Sequence, residues 1–427
     1  MDTLELERTA GERIARHRTG DFRLRLRDAA GAPVPAARVD VRLLRHEFRL
    51  GANGFLIRGG PESGDPARRR PDEALRIEYE RAFANLLNYA TLPFYWGAYE
   101  PEPGKEKAGR LQRMAAWCLD RGVKPKGHPL AWHEVFPKWA EAMPDDEALR
   151  RLRERIVRIV GAFRGTVDAW DVFNETTVSA RFDNAVGRWV KARGALECVA
   201  ETLSLARGVN PEAELLYNDF NVSPDMEELV CRLRDRGASF DAVGIQSHMH
   251  KGAWTAEKLW HTCETYARFG LPLHFTELTI LSGRLKADGD NDWHRVHADW
   301  STTPDGEARQ LEEGRRFYTL LFSHPAVEAV TWWDFSDLAS WQGAPSGLLR
   351  KDMSPKPLAE WLRHAFHETW TTRAALTADA DGEAVFRGYF GVYAVRAETD
   401  SGVALAGSCP LSRHGPRAVD VALTARG

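Results

Sequence analysis

The chain has 427 residues, including 58 Lys and Arg, 61 Asp and Glu, and 15 Trp, and its formal net charge is -3. This length can bury a large core without metal or disulfide support, and the balanced charge excludes the polycationic footprint of a nucleic-acid partner. No apolar run approaches the roughly 20 residues of a membrane span, so no membrane partner is predicted.

The N-terminal region predicts a helix followed by a β-hairpin. Residues 1–20 are rich in charge and helix-like, whereas apolar and charged residues alternate in 22–27 and again in 39–43. Alternation with a period of two is typical of a half-buried strand, and the turn-rich stretch DAAGAPVPAA lies between the two segments. We therefore expect residues 1–47 to form a helix and β-hairpin element.

Residues 48–368 predict a fold of the α/β class, a (β/α)₈ barrel. Short apolar segments alternate with amphipathic stretches long enough for helices. No glycine-rich phosphate turn follows the first strand, which favours a barrel over a doubly wound sheet. The expected strands are 48–53, 89–94, 123–128, 168–174, 215–219, 242–246, 273–276 and 329–333.

The C-terminal residues 369–427 predict a small β module, because VFRGYFGVYAVRAET alternates and no helical period follows. We expect it to pack with the N-terminal β element. The five cysteines show no metal-ligand spacing, so neither metal nor cofactor is expected. The first 18 residues lack an apolar signal core, which indicates a cytoplasmic protein as printed, or a secreted one if a leader has been removed.

Two glutamates follow predicted barrel strands, at the face where barrel enzymes carry their active sites. Glu175 ends AWDVFNE and Glu277 ends LHFTE. Either glutamate alone is more simply read as a solvated or capping residue. A pair facing each other across a barrel mouth has what glycoside hydrolysis needs, one carboxyl protonated to release the leaving oxygen and the other ionised.

Six segments, in order along the barrel, resemble motifs of glycoside hydrolase family 10, the retaining endo-β-1,4-xylanases. A single motif would be weak evidence, whereas six in family order are specific. They are GHPLAWHEVFPKW (127–139), AWDVFNE (169–175), LLYNDFN (215–221), VGIQSHMH (243–250), HFTEL (274–278) and TWWDFSDLASW (331–341).

The resemblance implies a retaining mechanism with Glu175 as acid/base and Glu277 as nucleophile. It further implies a carbohydrate-binding set that contacts the sugar or holds the glutamates in place. In a retaining enzyme the two carboxyl groups lie about 5–5.5 Å apart. The implied substrate-binding residues are His128, Trp132, Asn174, Gln246, His248, Trp333 and Trp341.

The chain departs from the family pattern on the non-reducing side of the cleavage point. Where the family reads E-N-x-M-K-W, this chain has Thr91, Leu92 and Tyr95 in place of the Glu, Asn and Lys. The Asp after the nucleophile motif is replaced by Thr279. We therefore expect a divergent member, with a complete cleavage site and an altered distal sugar subsite.

An insertion at 282–307 carries Trp293, Trp300, His294 and His297. It is interpreted either as a loop capped by its own aromatics or as a new part of the substrate groove. Three further functions stay open at this point: a retaining glycosidase of different sugar specificity, a catalytically silent carbohydrate-binding barrel, and a barrel enzyme using its carboxylates on a metal. The sequence does not specify an oligomeric state.

Overall fold

The computed structural model describes residues 2–59 and 72–425. Its strands, in chain order, are β1 (Thr19–Arg27), β2 (Arg38–His46), β3 (Arg49–Asn53), β4 (Tyr89–Pro93), β5 (Lys124–His128), β6 (Ala169–Asn174), β7 (Glu214–Asp219), β8 (Ala242–Ile245), β9 (His248–Met249), β10 (Leu273–Ile280), β11 (Val327–Trp332), β12 (Arg373–Thr377), β13 (Glu383–Tyr389), β14 (Gly391–Glu398), β15 (Ala404–Leu411), β16 (Ala418–Ala422) and β17 (Thr424–Ala425).

The α-helices are α1 (Thr3–Arg8), α2 (Ala10–His17), α3 (Glu73–Leu86), α4 (Trp96–Tyr99), α5 (Ala108–Asp120), α6 (Asp145–Ala162), α7 (Thr176–Ser179), α8 (Ala185–Arg193), α9 (Ala195–Val209), α10 (Pro224–Asp235), α11 (Ala256–Ala267), α12 (Pro304–Ser323) and α13 (Pro357–His364). Shorter 3₁₀ or π turns lie at Ile57–Gly59, Lys138–Ala140, Trp341–Gly343 and Ala365–Thr369. None of the described helices is both long and apolar enough to cross a bilayer.

The strands β3 to β8, β10 and β11 form a closed barrel with helices between them, which confirms the predicted (β/α)₈ fold. Neighbouring strands pair in parallel, and β11 pairs with both β10 and β3 to close the ring. The barrel lies within one compact unit, Leu50–Phe317 with Ala326–Ala359. Parallel strands in a closed barrel end at one rim, so residues distant in sequence meet there.

The barrel strands are almost continuously apolar or buried because both of their faces are covered. In β6 all six residues from Ala169 to Asn174 are buried. The glycine of the GHPLAWH segment is required by this packing, since a Cβ on Gly127 would lie 2.1 Å from the Trp170 ring. The glycine that begins the first motif is therefore explained by the packing of the barrel strands.

The helices between the strands present one apolar stripe to the sheet. In α6, Leu152, Ile156 and Ile159 are buried at helical spacing. Acidic residues in its first turn stabilise the helix by interacting with the positive end of its dipole. Amphipathic spacing runs without a break through residues 186–207, but the structure has two helices, α8 and α9, that meet at Gly194. This residue has φ 82°, a left-handed conformation that ends helices and favours glycine.

The second compact unit is Met1–Arg49, Tyr318–Pro325 and Glu360–Gly427. It contains strands from both ends of the chain in two sheets of orders β13-β1-β16 and β12-β2-β14-β15-β17. Alternating residues such as Phe22, Leu24, Val39 and Val41 supply their shared apolar core. The domain bounds 1–47, 48–368 and 369–427 remain a prediction.

Candidate active site

The two glutamates lie at the carboxyl ends of barrel strands. Glu175 directly follows β6, adopts a left-handed conformation with φ 56° and ψ 43°, and precedes helix α7. Its backbone N–H donates to the carbonyl of Asn218 at the end of β7, at 2.9 Å. Glu277 lies within β10 and is buried. A strained conformation held by a neighbouring strand is typical of a functional position.

The Glu175 carboxyl accepts three hydrogen bonds. Trp132 Nε1 donates to Oε2 at 3.1 Å, while Asn174 Nδ2 and Gln246 Nε2 donate to Oε1 at 3.1 and 3.0 Å. Burial raises the pKa of Glu175 well above its ordinary value, and the nearby Glu277 carboxylate raises it further. Glu175 therefore keeps its proton at a pH where ordinary glutamates are ionised.

The Glu277 carboxylate is held in the opposite state. His248 Nε2 donates to Oε2 at 3.0 Å and Asn218 Nδ2 donates to Oε1 at 2.9 Å. Burial by itself would raise the pKa of Glu277, but the hydrogen bond from His248 and the nearby His128 outweigh it, and the pKa lies below its ordinary value. Glu277 is therefore an ionised, buried carboxylate.

Thr279 lies behind His248, on the side away from Glu277. A hydroxyl can donate to or accept from a ring nitrogen, and that of Thr279 lies 3.1 Å from Nδ1. This is the position at which the family pattern has Asp. A hydroxyl thus stands in place of a carboxylate behind the histidine that donates to Glu277.

Amide side chains connect the two carboxyls. Asn218 Nδ2 is shared between Asn174 Oδ1, at 2.7 Å, and Glu277, and Gln246 Nε2 also lies 3.1 Å from Asn174 Oδ1. Thr276 donates its hydroxyl to Asn218 Oδ1 at 2.6 Å. Asn218 was not among the predicted site residues, although its position at a strand end within LLYNDFN was a usable signal.

Aromatic side chains form a continuous wall around these groups. The centroid of the Trp333 ring lies 5.5 Å from that of His128 and 5.9 Å from that of His248. Trp341 lies 4.9 Å from His248, and Trp132 lies 6.5 Å from His128. All nine residues predicted for the site therefore lie in one cluster at the barrel rim.

The three residues that depart from the family pattern on the distal side are uncharged, and one of them, Tyr95, belongs to this aromatic wall. Thr91 and Leu92 are fully buried, and Tyr95 is half-buried. The Tyr95 ring lies 5.4 Å from His128, 5.6 Å from Trp132 and 6.0 Å from Phe55. The centroid of the Phe55 ring in turn lies 5.4 Å from that of Trp333. Aromatic rings therefore surround the position at which the family pattern has Lys.

The insertion packs on itself and also contacts the aromatic wall. Trp300 is buried in a small apolar cluster with Leu281 and Ala344, as a loop capped by its own aromatics would be. Trp293 is half-buried and stacks on Trp341 with an interplanar angle of 17° and a centroid distance of 5.8 Å. Gln342 fixes this contact, because its Nε2 donates to the Trp293 carbonyl at 2.8 Å.

Asp334 was also not predicted. It lies within the last motif, directly after Trp333, and has φ 70°, which an Asp tolerates better than most residues. Its carboxylate accepts from the Trp341 backbone N–H at 2.9 Å, from the Ser346 hydroxyl at 3.0 Å and from Asn53 Nδ2 at 3.3 Å. Asp334 thereby anchors the turn that carries Trp341.

One group in the described part of the chain has the geometry to hold a metal ion. The ligand atoms of His133, Glu134 and Glu175 all lie within 4.8 Å of one another. The acidic loop residues of the insertion have other partners, since Asp290 pairs with Lys286 at 3.0 Å and Asp292 accepts from the His294 backbone N–H at 3.0 Å.

The family model described as Glycosyl hydrolase family 10 matches residues 90–365. A "Beta-1,4-xylanase" of Dictyoglomus thermophilum is 28% identical over 255 residues, which cover 58% of this chain and 70% of the relative. "Endo-1,4-beta-xylanase B" of Thermotoga neapolitana is 25% identical over 336 residues, 75% of this chain and 92% of the relative. Native xylanase 10B from Thermotoga maritima has the same fold, with a TM-score of 0.60 and 21% identity over 76% of this chain and 97% of that chain.

Proposed function

The chain belongs to glycosyl hydrolase family 10 and is a glycoside hydrolase; from this premise we propose that it cleaves β-glycosidic bonds of xylan-type or related plant oligo- and polysaccharides with retention of configuration. The observation that carries the mechanism is the opposed environment of two carboxyls, the buried Glu277 and the partly exposed Glu175. The pKa of Glu175 is raised and that of Glu277 is lowered, as a general acid and a nucleophile require. The names of the relatives support the substrate class.

In the first step Glu277 attacks the anomeric carbon as the bond to the leaving oxygen breaks. Glu175 transfers its proton to that oxygen, so the departing sugar leaves as a neutral alcohol. The product is a glycosyl ester on Glu277. In this mechanism Asn174 binds the sugar's 2-hydroxyl, while His128, Trp132, Trp333 and Trp341 line the sugar at the cleavage point.

In the second step Glu175, now ionised, removes a proton from water. The water oxygen attacks the anomeric carbon and the ester bond to Glu277 breaks, which restores both carboxyls to their initial states. His248 and Asn218 donate to Glu277 throughout and stabilise it as a leaving carboxylate. Two inversions give net retention.

The aromatic wall at Tyr95 supports an altered preference beyond the cleavage point. Where the family pattern has Lys, a sugar hydroxyl would accept a charge-assisted hydrogen bond. The ring of Tyr95 does not provide this bond. Short or decorated oligosaccharides, whose distal part demands fewer polar contacts, are therefore the favoured substrates over unsubstituted xylan.

Azide rescue tests the two roles separately. Glu277→Ala and Glu175→Ala are assayed on an activated aryl β-xyloside with and without azide, and the sugar azides are identified by NMR. We expect Glu277→Ala to yield the inverted α-azide and Glu175→Ala the retained β-azide. Wild-type turnover by Glu277→Ala, or inverted product from Glu175→Ala, would overturn the assignment.

A further inference from the structure

Three potential ligand atoms converge on the cleft wall beside Glu175. His133 and Glu134 follow Trp132 directly, and their ligand atoms lie within 4.8 Å of each other and of the Glu175 carboxyl. His133 Nε2 lies 4.0 Å from Glu175 Oε2. Glu134 and Glu175 are each partly exposed, so an ion in solution can reach them.

The imidazole of His133 directs an unused lone pair at this position. The Ser179 hydroxyl donates to the Glu175 carbonyl at 3.1 Å, so its oxygen accepts from His133 Nδ1–H at 2.7 Å. The ring proton on Nδ1 leaves Nε2 as a bare acceptor. His133 is 1% exposed, and Nε2 has no hydrogen-bond partner among the residues that the structure describes. A buried acceptor in this state is unusual in a folded protein.

The donor set selects the kind of ion. One neutral imidazole nitrogen and two carboxylates match Zn²⁺, which binds such ligands at about 2.0–2.2 Å with a water in its fourth position. Calcium and magnesium prefer oxygen ligands in higher number. Glu175 Oε2 accepts a single hydrogen bond, from Trp132, so it has room for one further partner, which is either the acid proton or an ion.

We propose that His133, Glu134 and Glu175 form an inhibitory site for a divalent ion of the zinc class. This inference rests on the proposed function, because inhibition requires Glu175 to be the acid/base. The ion binds the Glu175 carboxylate and the carboxyl proton is released to solvent. The leaving oxygen then has no proton donor, and the enzyme is inactive until the ion dissociates.

Burial lowers the pKa of His133 to about 3, which agrees with a neutral ring able to bind an ion at ordinary pH. The 4.0 Å between Nε2 and Oε2 exceeds the roughly 3.4 Å edge of a tetrahedral zinc site with such bond lengths. Binding therefore requires the Glu175 and Glu134 carboxyls to move toward His133 by a fraction of an ångström.

Calorimetric titration of the metal-free protein with zinc chloride tests the site directly. Glu134→Gln removes a ligand that has no part in the proposed catalysis, and His133→Gln removes the buried one. The matched control is His297→Gln, since this histidine lies 3.7 Å from Asp290 in the insertion and is an alternative place for zinc. Cobalt(II), read by its visible absorption, provides a second probe.

We expect one zinc per chain, at least tenfold weaker binding in Glu134→Gln and His133→Gln, and unchanged binding in His297→Gln. Zinc should inhibit the wild type at the concentration at which it binds, whereas Glu134→Gln should keep the zinc-free rate and resist zinc. If His133→Gln does not fold, Glu134→Gln decides.

Binding that is unchanged in Glu134→Gln, lost in His297→Gln, or absent at millimolar zinc would overturn the site. Calorimetry does not depend on turnover, so the two proposals can fail separately. A wild type that binds zinc as described but hydrolyses no glycoside would retain the ion site and overturn both the inhibition and the proposed function.

Discussion

The two sides of the cleft are built from different kinds of side chain. At the cleavage point, amides and a histidine share hydrogen bonds with Glu175 and Glu277. On the side of Tyr95, ring contacts replace polar ones. In the proposed function, bond cleavage and substrate choice therefore depend on separate residues of one barrel rim. We propose that this chain keeps the chemistry of its family while the distal part of its substrate differs.

The largest effect is expected at the cleavage point. Glu175→Ala should lower kcat/KM on a xylo-oligosaccharide by about 10²–10⁴-fold, the usual contribution of a positioned proton donor. The first step on a dinitrophenyl β-xyloside should fall far less, because that leaving group needs no proton. Steady-state and single-turnover rates measure both. Equal losses on the two substrates would count against Glu175 as the acid.

The pH profile should follow from the opposed carboxyls. The active form has Glu277 ionised and Glu175 protonated. Because the pKa of Glu277 is lowered, the acid limb of kcat/KM should lie below the ordinary glutamate value of 4.5; because the pKa of Glu175 is raised, the alkaline limb should lie well above it. Glu175→Gln, assayed on the dinitrophenyl xyloside, should lose the alkaline limb. A persistent alkaline limb would assign it to another group.

A smaller change is expected at the distal wall. Tyr95→Lys restores the cation of the family pattern, and a hydrogen bond to a charged group contributes about 1.5–3 kcal/mol. We expect the ratio of kcat/KM on unsubstituted xylotetraose to that on an aryl xyloside to rise about tenfold. Tyr95→Phe, the matched control, should leave the ratio unchanged. If the wild type already degrades plain xylan as fast as short or decorated substrates, the interpretation of this wall fails.

The smallest effect is expected at the insertion. Trp293→Ala removes a ring stacked on Trp341, and such a pair contributes about 0.5–1.5 kcal/mol. KM should rise about two- to tenfold while kcat stays within about twofold. Trp254→Ala is the control. Trp254 is also half-buried, and the Lys258 ammonium lies 4.4 Å from the centre of its ring. Its ring packs on Phe317, not on Trp341. Equal changes in KM for the two variants would show that the insertion does not contribute to sugar binding.

The sequence predicted the barrel because alternation of short apolar segments and helices is a local signal. It also predicted where the nine site residues meet, since strand ends converge once the barrel closes. Side-chain partners were harder. His248 contacts Thr279, and Asp334 accepts hydrogen bonds from residues 7 and 12 positions later. These contacts exist only in the folded rim. Gly194 ended a helix that amphipathic spacing alone would continue.

The proposed mechanism requires Glu277 to form a covalent bond to the sugar. A dinitrophenyl 2-deoxy-2-fluoro-β-xyloside slows both steps but retains a good leaving group, so the glycosyl ester should accumulate. Intact-protein mass spectrometry followed by peptide mapping should find one fluoroxylosyl group per chain, on Glu277, and none in Glu277→Ala. Labelling of a different residue, or turnover of the unfluorinated xyloside without any trapped ester, would contradict the account.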